Sequence, residues 1–546
     1  MDPHSDSPKS ASNETVAFFK GTSVGGRLLA LLWGVAMAFA LIVNLLKSHF
    51  PRVAYNYTME TLLPHPVLML IGWIGLLLLF LIIKKIWKDS QKPLVNSIVG
   101  HYPIAVISVC FFFLQLYFVY NYYFETDWDV QVLLDTARNI AYGGNINQNS
   151  WYYSNYPNNL LLTCFFSAIL FVARPLHLGA HDFFAIIVVQ SLISVMTFLM
   201  LYQLCIKMWK RRDLAYFACC IYLIIVGLSP WVSIPYSDSW GLLFPVLLLM
   251  LRYGCHGERK SLWMWFWLSI VAYLGYKIKP QVIFTFIGIL LVDGVSLWKE
   301  LRRNKTNKLI VFKYLLPIFC GLLISVALVF VLEKSTRIHC DRTQSMGPTH
   351  YLMMGLNRNS IGGYCDDDLT FSRSFATPSA RSAGNLKESV RRVKEMGAGG
   401  FGELMCEKML VNYYDGTFFW GKEGWFFKTV FPEKNQHLSP FLRNLYYNRL
   451  IHGKYYPWWC SFSTAVWLGL LLLAFSAMFG KWNNSLRIIA ISILLLTLYE
   501  LLFEARSRYL YAYTPFYIIM AVQGAETMVE KWSAWRKKKV STGRTR

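Results

Sequence analysis

Apolar runs of about 18 residues or more recur along the whole chain, and that feature narrows the fold more than any other. A run of that length is enough to cross the hydrocarbon of a bilayer as a helix. Lipid cannot satisfy open backbone N–H and C=O groups, so helices are the expected solution. The runs fall at 26–46, 65–83, 103–123, 159–175, 182–206, 213–231, 240–252, 262–278, 281–298, 314–333, 459–480, 487–503 and 509–524. Only 16% of the 546 residues are charged, too few to cover a soluble protein of this length. The sequence therefore predicts an all-α polytopic membrane protein with about 12–13 transmembrane helices.

The formal net charge is +23, and its placement matters more than its size. The basic residues sit in short clusters between apolar runs: Lys84, Lys85 and Lys88; Lys207, Lys210, Arg211 and Arg212; Arg259 and Lys260; Arg302, Arg303, Lys305 and Lys308; and Arg536 to Lys539 in the tail. That is the pattern of cytoplasmic loops, and it argues against a nucleic-acid partner. With those clusters inside, 124–158, 232–239, 334–458 and 504–508 fall outside. One difficulty follows. Between the outer loop 124–158 and the inner cluster at 207 lie two apolar runs, where an odd number of crossings is required. Either one run is re-entrant, or the 182–206 run is broken, with Arg174-Pro175 and the stretch His177 to His181 as the suspects.

The domain reading is a flexible tail at 1–25 without a signal-peptide pattern, two added N-terminal helices within 26–102, a catalytic membrane module at 103–333, an extracytoplasmic domain at 334–458, and closing helices with a basic tail at 459–546. Within 334–458, residues 366–385 read as a mobile loop, and 386–411 as a basic helix. Phe418 to Gly421 and Trp425 to Phe427 read as packing at the interface, against lipid or over the cleft. Cys340 and Cys365 are candidates for a disulfide; the other cysteines read mostly as small core hydrophobes.

Four polar patches carry the chemistry, and all fall on the outer side. The first is Glu125-Thr126-Asp127-Trp128-Asp129, followed by helical spacing to 142 and then Tyr156-Pro157-Asn158-Asn159. Asp129 there is either a helix cap or a general base. The second is Pro235-Tyr236-Ser237-Asp238, whose single acid is either a cap or a second functional carboxylate. The third is Lys277-Ile278-Lys279-Pro280-Gln281, whose lysines either snorkel or bind phosphate. The fourth is Glu504-Ala505-Arg506-Ser507-Arg508-Tyr509, whose arginines break the positive-inside trend and suit a phosphate. The sequence has no Walker-type glycine loop for a nucleotide.

In this order, the patches resemble the GT-C superfamily of membrane glycosyltransferases, which includes protein O-mannosyltransferases and the aminoarabinose transferase of lipid A. The resemblance runs from about residue 103 onward. Pro235 to Asp238 is similar to a "YTD" patch, Lys279-Pro280 to a "KPT" patch with Gln281 in place of threonine, and Glu504 to Tyr509 to an "E…RYL" patch. Pro348 to Asn357 is looser, similar to the opening of an outer domain. The resemblance implies a GT-C fold with a small extracytoplasmic domain. It implies inverting transfer of a sugar from a polyprenyl-phosphate donor to a cell-envelope glycan, lipid or protein. Asp129 would be the base, with Asp127 its rival and Asp238 a second acid. Lys279, Arg508 and Arg506 would hold the donor phosphate. Tyr156, Asn158, His350 and Glu504 would line the substrate site. Some members use a divalent metal such as magnesium or manganese and others none; the sequence does not decide this. The rival classes are a lipid-linked glycan transporter or flippase, an O-antigen-ligase-like enzyme, and a noncatalytic assembly protein. No internal hydropathy repeat of the transporter kind is apparent.

Overall fold

The computed structural model describes residues 24–56, 61–87, 102–254, 258–304, 309–420, 429–430, 438–447 and 453–543. Most of the tail read as flexible, and Trp425 to Phe427, lie outside these residues. The described residues are predominantly helical, with a short antiparallel pairing of Phe124 with Val430 and Glu125 with Thr429. Among the described residues, nine helices are long and apolar enough to cross a membrane. Several shorter or more polar helices run beside them. The molecule is a multi-pass membrane protein.

In chain order the principal helices are α1 (Val24–Leu45), α2 (His65–Ile86), α3 (Tyr102–Tyr122), α4 (Asp129–Tyr142), α5 (Leu160–Ala173), α6 (Phe184–Trp209), α7 (Arg212–Tyr222), α8 (Leu243–Gly254) and α9 (Glu258–Ile278). After these come α10 (Ile283–Asn304), α11 (Leu309–Ser335), α12 (Pro348–Gly355), α13 (Asp366–Arg373), α14 (Pro378–Tyr413), α15 (Tyr456–Ser476), α16 (Asn484–Leu502) and α17 (Thr514–Gly543).

Their ends sort into two faces. On one, Lys84 pairs with Glu526 at 3.1 Å and Arg211 with Glu526 at 2.5 Å. Arg252 pairs with Asp293 close by, and Tyr253 accepts a hydrogen bond from Ser485. Lys84 and Arg211, from two of the basic clusters, therefore meet at one end of the bundle. The four polar patches gather at the other.

The crossing problem resolves in favour of a re-entrant piece. α6 is unbroken from 184 to 209 and packs antiparallel to α3, with Phe111 against Phe198 at 5.4 Å and Tyr123 against Phe183 at 5.4 Å. The start of α6 is thus beside the end of α3. Arg138 on α4 grips Asp182, just before α6, at 2.7 Å. α5, the run between, lies alongside α4 and returns to the face it left. Its length and composition suit a span, but only α6 makes the crossing. A cysteine at position 176 is therefore expected to react with an impermeant thiol reagent from the same side as one at 150. It should react from the opposite side to one at 210. Labelling of 176 together with 210 would contradict this path.

α1 and α2 are built into the body rather than appended to it. Trp33 donates to the Ala474 carbonyl at 2.8 Å, and Asn44 reaches the Tyr413 carbonyl. α2 crosses α15 at Gly72 and Gly469, where a Cβ on either would overlap the opposite backbone. Glycine at that crossing lets two helices meet backbone to backbone, a contact typical of membrane packing.

The 334–458 segment is not a free-standing domain. α12 and α13 lie over the polar face, and the 366–385 stretch read as a loop is α13 and the start of α14 joined by a short turn at 374–377. Asp366, Asp367 and Asp368 open α13, where acids suit the helix dipole. Thr377 caps α14, with Pro378 in its first position. α14 kinks at Gly397, whose φ of 62° lies in the left-handed region. Its second half then dives between spans. There the Tyr413 hydroxyl meets Thr497 at 2.6 Å and Tyr517 at 2.7 Å. Phe418, Phe419 and Trp420 follow it inward. Phe418 packs on Trp467 and Tyr511, and Trp420 on Trp231, so they face neither lipid nor a cleft. Cys340 and Cys365 are unbridged; the Cys340 thiol donates to the Tyr153 carbonyl instead.

Candidate functional site: a buried charge cluster at one face

The four patches meet. α4 begins at Asp129, with Trp128 at the N-cap and no side-chain cap bond. The Tyr236 hydroxyl donates to Asp129 Oδ2 at 3.0 Å, tying the first patch to the second. Trp128 packs edge-on against the Tyr236 ring at 5.1 Å. Asp238, two residues on, is 1% exposed and bonds the Lys279 ammonium, bringing in the third patch. The fourth arrives with Arg508, whose Nε lies 3.9 Å from Asp238 Oδ2. The Arg508 guanidinium stacks over Trp128 at 4.8 Å and over Tyr236 at 5.5 Å. Lys279 sits over the Tyr509 ring at 4.2 Å. Tyr509 in turn donates to Glu504 at 2.7 Å, and Glu504 pairs with Arg506 at 2.8 Å.

The helix-cap reading of Asp238 does not hold, since its carboxylate is spent on Lys279. Lys279 does not snorkel; it is 3% exposed. Burial pulls its ammonium below the ordinary lysine value, and Asp238 works against that. An isolated charge would be costly at this depth, and the pairing of Lys279 with Asp238 offsets that cost. Asp127 is exposed, whereas Asp129 is half-buried beside Tyr236.

Around Asp129 stands a wall of phenols. Burial, then the charges of Tyr236 and Asp129, raise Tyr152. Burial and Asp129 push Tyr156 up to about 12. Tyr351 on α12 is raised by burial first, with Tyr156, Glu504 and Asp129 adding to it. Tyr156 and Tyr351 thus both lie within the fields of Asp129 and Glu504. Straps tie the first loop to the 334–373 segment: Met346 N–H to the Asn155 carbonyl at 3.0 Å, Asp341 N–H to Ser154 at 2.9 Å, and Arg373 to Asn155 at 3.3 Å.

Two of the substrate-lining candidates are engaged with neighbours of their own. Asn158 is exposed and bonds its neighbour Asn159. His350 is buried and hydrogen-bonded to Ser372 at 2.7 Å, within the α12–α14 packing. Among the described residues, no group of three or more His, Cys, Asp or Glu side chains is placed to hold a metal ion.

This arrangement can now be set against known proteins. A family model described as a conserved hypothetical integral membrane protein matches residues 22–529. The chain belongs to that family. No curated protein and no solved structure matches it. The family match takes in α1 and α2 as well as the polar face, which agrees with the way those helices are packed.

In this family member, two charged residues of the cluster escaped sequence reasoning. Glu500 is fully buried on α16, within the fields of Lys279 and Lys408. Its signal was present: it is the single acid in an apolar helix, a placement that is costly in lipid. Lys408 had no such signal. It lies on α14, is fully buried, and donates to the carbonyls of Gly355 at 2.6 Å and Phe503. Those are the C-terminal ends of α12 and α16, where a cation is favoured. Burial pulls the Lys408 ammonium down to about 7, with Glu500 and Glu504 opposing.

The sign of the resulting pH dependence follows. Between about pH 7 and the ordinary lysine value of 10.5, the unfolded chain holds a proton on Lys408 that the folded chain lacks, so this residue makes stability rise with pH. Thermal unfolding of the solubilised protein near pH 7.5 and near pH 9.5 should show that rise relative to Lys408→Met. Parallel curves for the two proteins would contradict it.

Proposed function

We propose that this protein is an inverting glycosyltransferase. It moves a sugar from a polyprenyl-phosphate donor to a cell-envelope glycan, lipid or protein acceptor. The observation that carries this reading is the convergence of Asp129, Asp238, Lys279 and Arg508, from four separate segments, into one cluster at one face. Such transfer needs two things from the protein: a carboxylate to take the acceptor's proton, and cations to stabilise the phosphate that leaves.

Asp129 is the base in this reading. It is half-buried, held by Tyr236, and opens a helix along the tyrosine-lined space. Arg508 is the first cation to meet the leaving phosphate, since its guanidinium is laid flat on Trp128, beside Asp129. Lys279 and Arg506 stand behind it, each on a carboxylate. Asp238 therefore acts by positioning Lys279 and Arg508. Tyr156, Tyr351 and Glu504 line the space for acceptor and sugar. The face carrying the basic clusters would be cytoplasmic, and the cluster would work on the outer side.

Reconstituted protein given a polyprenyl-phosphate sugar and envelope extract should release polyprenyl phosphate. Movement of the intact lipid-linked sugar across the bilayer, without cleavage, would overturn this reading in favour of a flippase.

A further inference from the structure

On the far side of Glu125 from Asp129 lies a separate cavity of about 490 Å³. It is lined by α4, the end of α5 and the turn into α6, with Glu125, Arg138, Tyr142, Arg174, His177 and Asp182 as its polar groups. Its floor is already satisfied. Arg138 holds Asp182 through Nε at 3.0 Å and through its terminal nitrogen at 2.7 Å. Its mouth is different. The Arg174 side chain is exposed and makes no ion pair or hydrogen bond among the described residues, while its carbonyl accepts from the His177 N–H at 3.2 Å. His177 is set beside it by a backbone φ of 47°, a left-handed conformation that an L side chain adopts at a cost.

Three large exposed apolar side chains flank Arg174 and His177: Phe171 at 63%, Val172 at 77% and Leu176 at 68%. The cavity also sits where α3 and α6, two apolar spans, end together. That is the depth of lipid headgroups. A cationic mouth, an apolar rim and a headgroup-deep pocket describe one kind of ligand. We propose that this cavity binds the phosphate of a lipid headgroup. Arg174 and His177 take the phosphate, the acyl chains lie along Phe171, Val172 and Leu176, and Glu125 accepts from the hydroxyls or ammonium of the headgroup. This site is independent of the Asp129 cluster and of the transferase reading.

The test uses the full-length protein purified in detergent, with phosphatidylglycerol or with diacylglycerol of the same chains, which lacks the phosphate. Native mass spectrometry should show phosphatidylglycerol retained at least about fivefold over diacylglycerol, the scale of one or two charge-assisted contacts. The exposed pair Arg174→Gln and His177→Gln should abolish that preference without changing the melting temperature. Equal retention by wild type and the double variant would overturn the proposal. So would an Arg174-dependent thermal shift from inorganic phosphate alone with no preference for phosphatidylglycerol, since the site would then take a free anion.

Discussion

Asp129→Asn is expected to lower sugar transfer by about 10²–10⁴-fold, the range that a positioned general base contributes. The substitution keeps the shape and the hydrogen bond from Tyr236, because an amide oxygen can accept where the carboxylate oxygen did. It removes the basicity alone. Folding should be little affected, since Asp129 is half-buried and the amide keeps its shape. Donor binding should also persist, because the phosphate cations lie on other segments. Asp127→Asn is the matched control, with an exposed carboxylate two residues away. It should leave transfer within about twofold, as surface substitutions usually do little. Transfer lost in the Asp127 variant and kept in the Asp129 variant would reverse the assignment.

The second large effect is on stability. Lys279→Met should destabilise the folded protein by about 3–5 kcal/mol, the cost of leaving one partner of a buried ion pair uncompensated. Asp238 would then face Arg508 alone, at 3.9 Å, in a setting where it is 1% exposed. Adding Asp238→Asn to that variant should recover much of the loss, because the orphaned charge disappears with it. Thermal unfolding in detergent or urea titration of the three proteins measures this directly. If Lys279→Met alone were neutral, the ammonium would not be committed to Asp238. Lys279→Arg is also expected to be poorly tolerated. A planar guanidinium cannot sit over the Tyr509 ring at 4.2 Å and bond Asp238 in the space an ammonium fills.

Much of the architecture was legible because bilayer physics is simple. Apolar length predicts spans, and basic clusters predict which ends share a face. α1, α2, α3, α6 and α16 lie close to where those rules put them. The failures have physical causes. α5 has the composition of a span, but composition cannot show that Arg138 will hold Asp182 back on the starting face. The 366–385 stretch looked like a loop because its serines and charges hid the cap at Thr377 and the acidic first turn at Asp366. The last turns of α14, from Leu404, are buried with Glu407, Lys408 and Asn412 among them, since such groups find partners only in the folded bundle, as Lys408 does in the Gly355 and Phe503 carbonyls.

The candidate site was legible in its members but not in its wiring. Each patch was visible as charge where charge is expensive. That Asp238 would take Lys279, 41 residues on, and that Arg508 would come to lie over Trp128, depends on how separate segments pack. His350 looked like a site residue from its neighbours in sequence, yet its ring is turned to Ser372. Glu500 was overlooked because it was counted as part of an apolar run. It belongs to the same network as Lys279 and Lys408.

The most direct test of the central claim is mass spectrometry of the cell-envelope glycans. Cells carrying the wild-type chain, the Asp129→Asn chain at equal abundance, or no copy are compared. The transferase reading predicts that one sugar modification present with the wild type is absent in the other two. Identical glycans in all three, or a modification that persists with Asp129→Asn and vanishes without the protein, would contradict it.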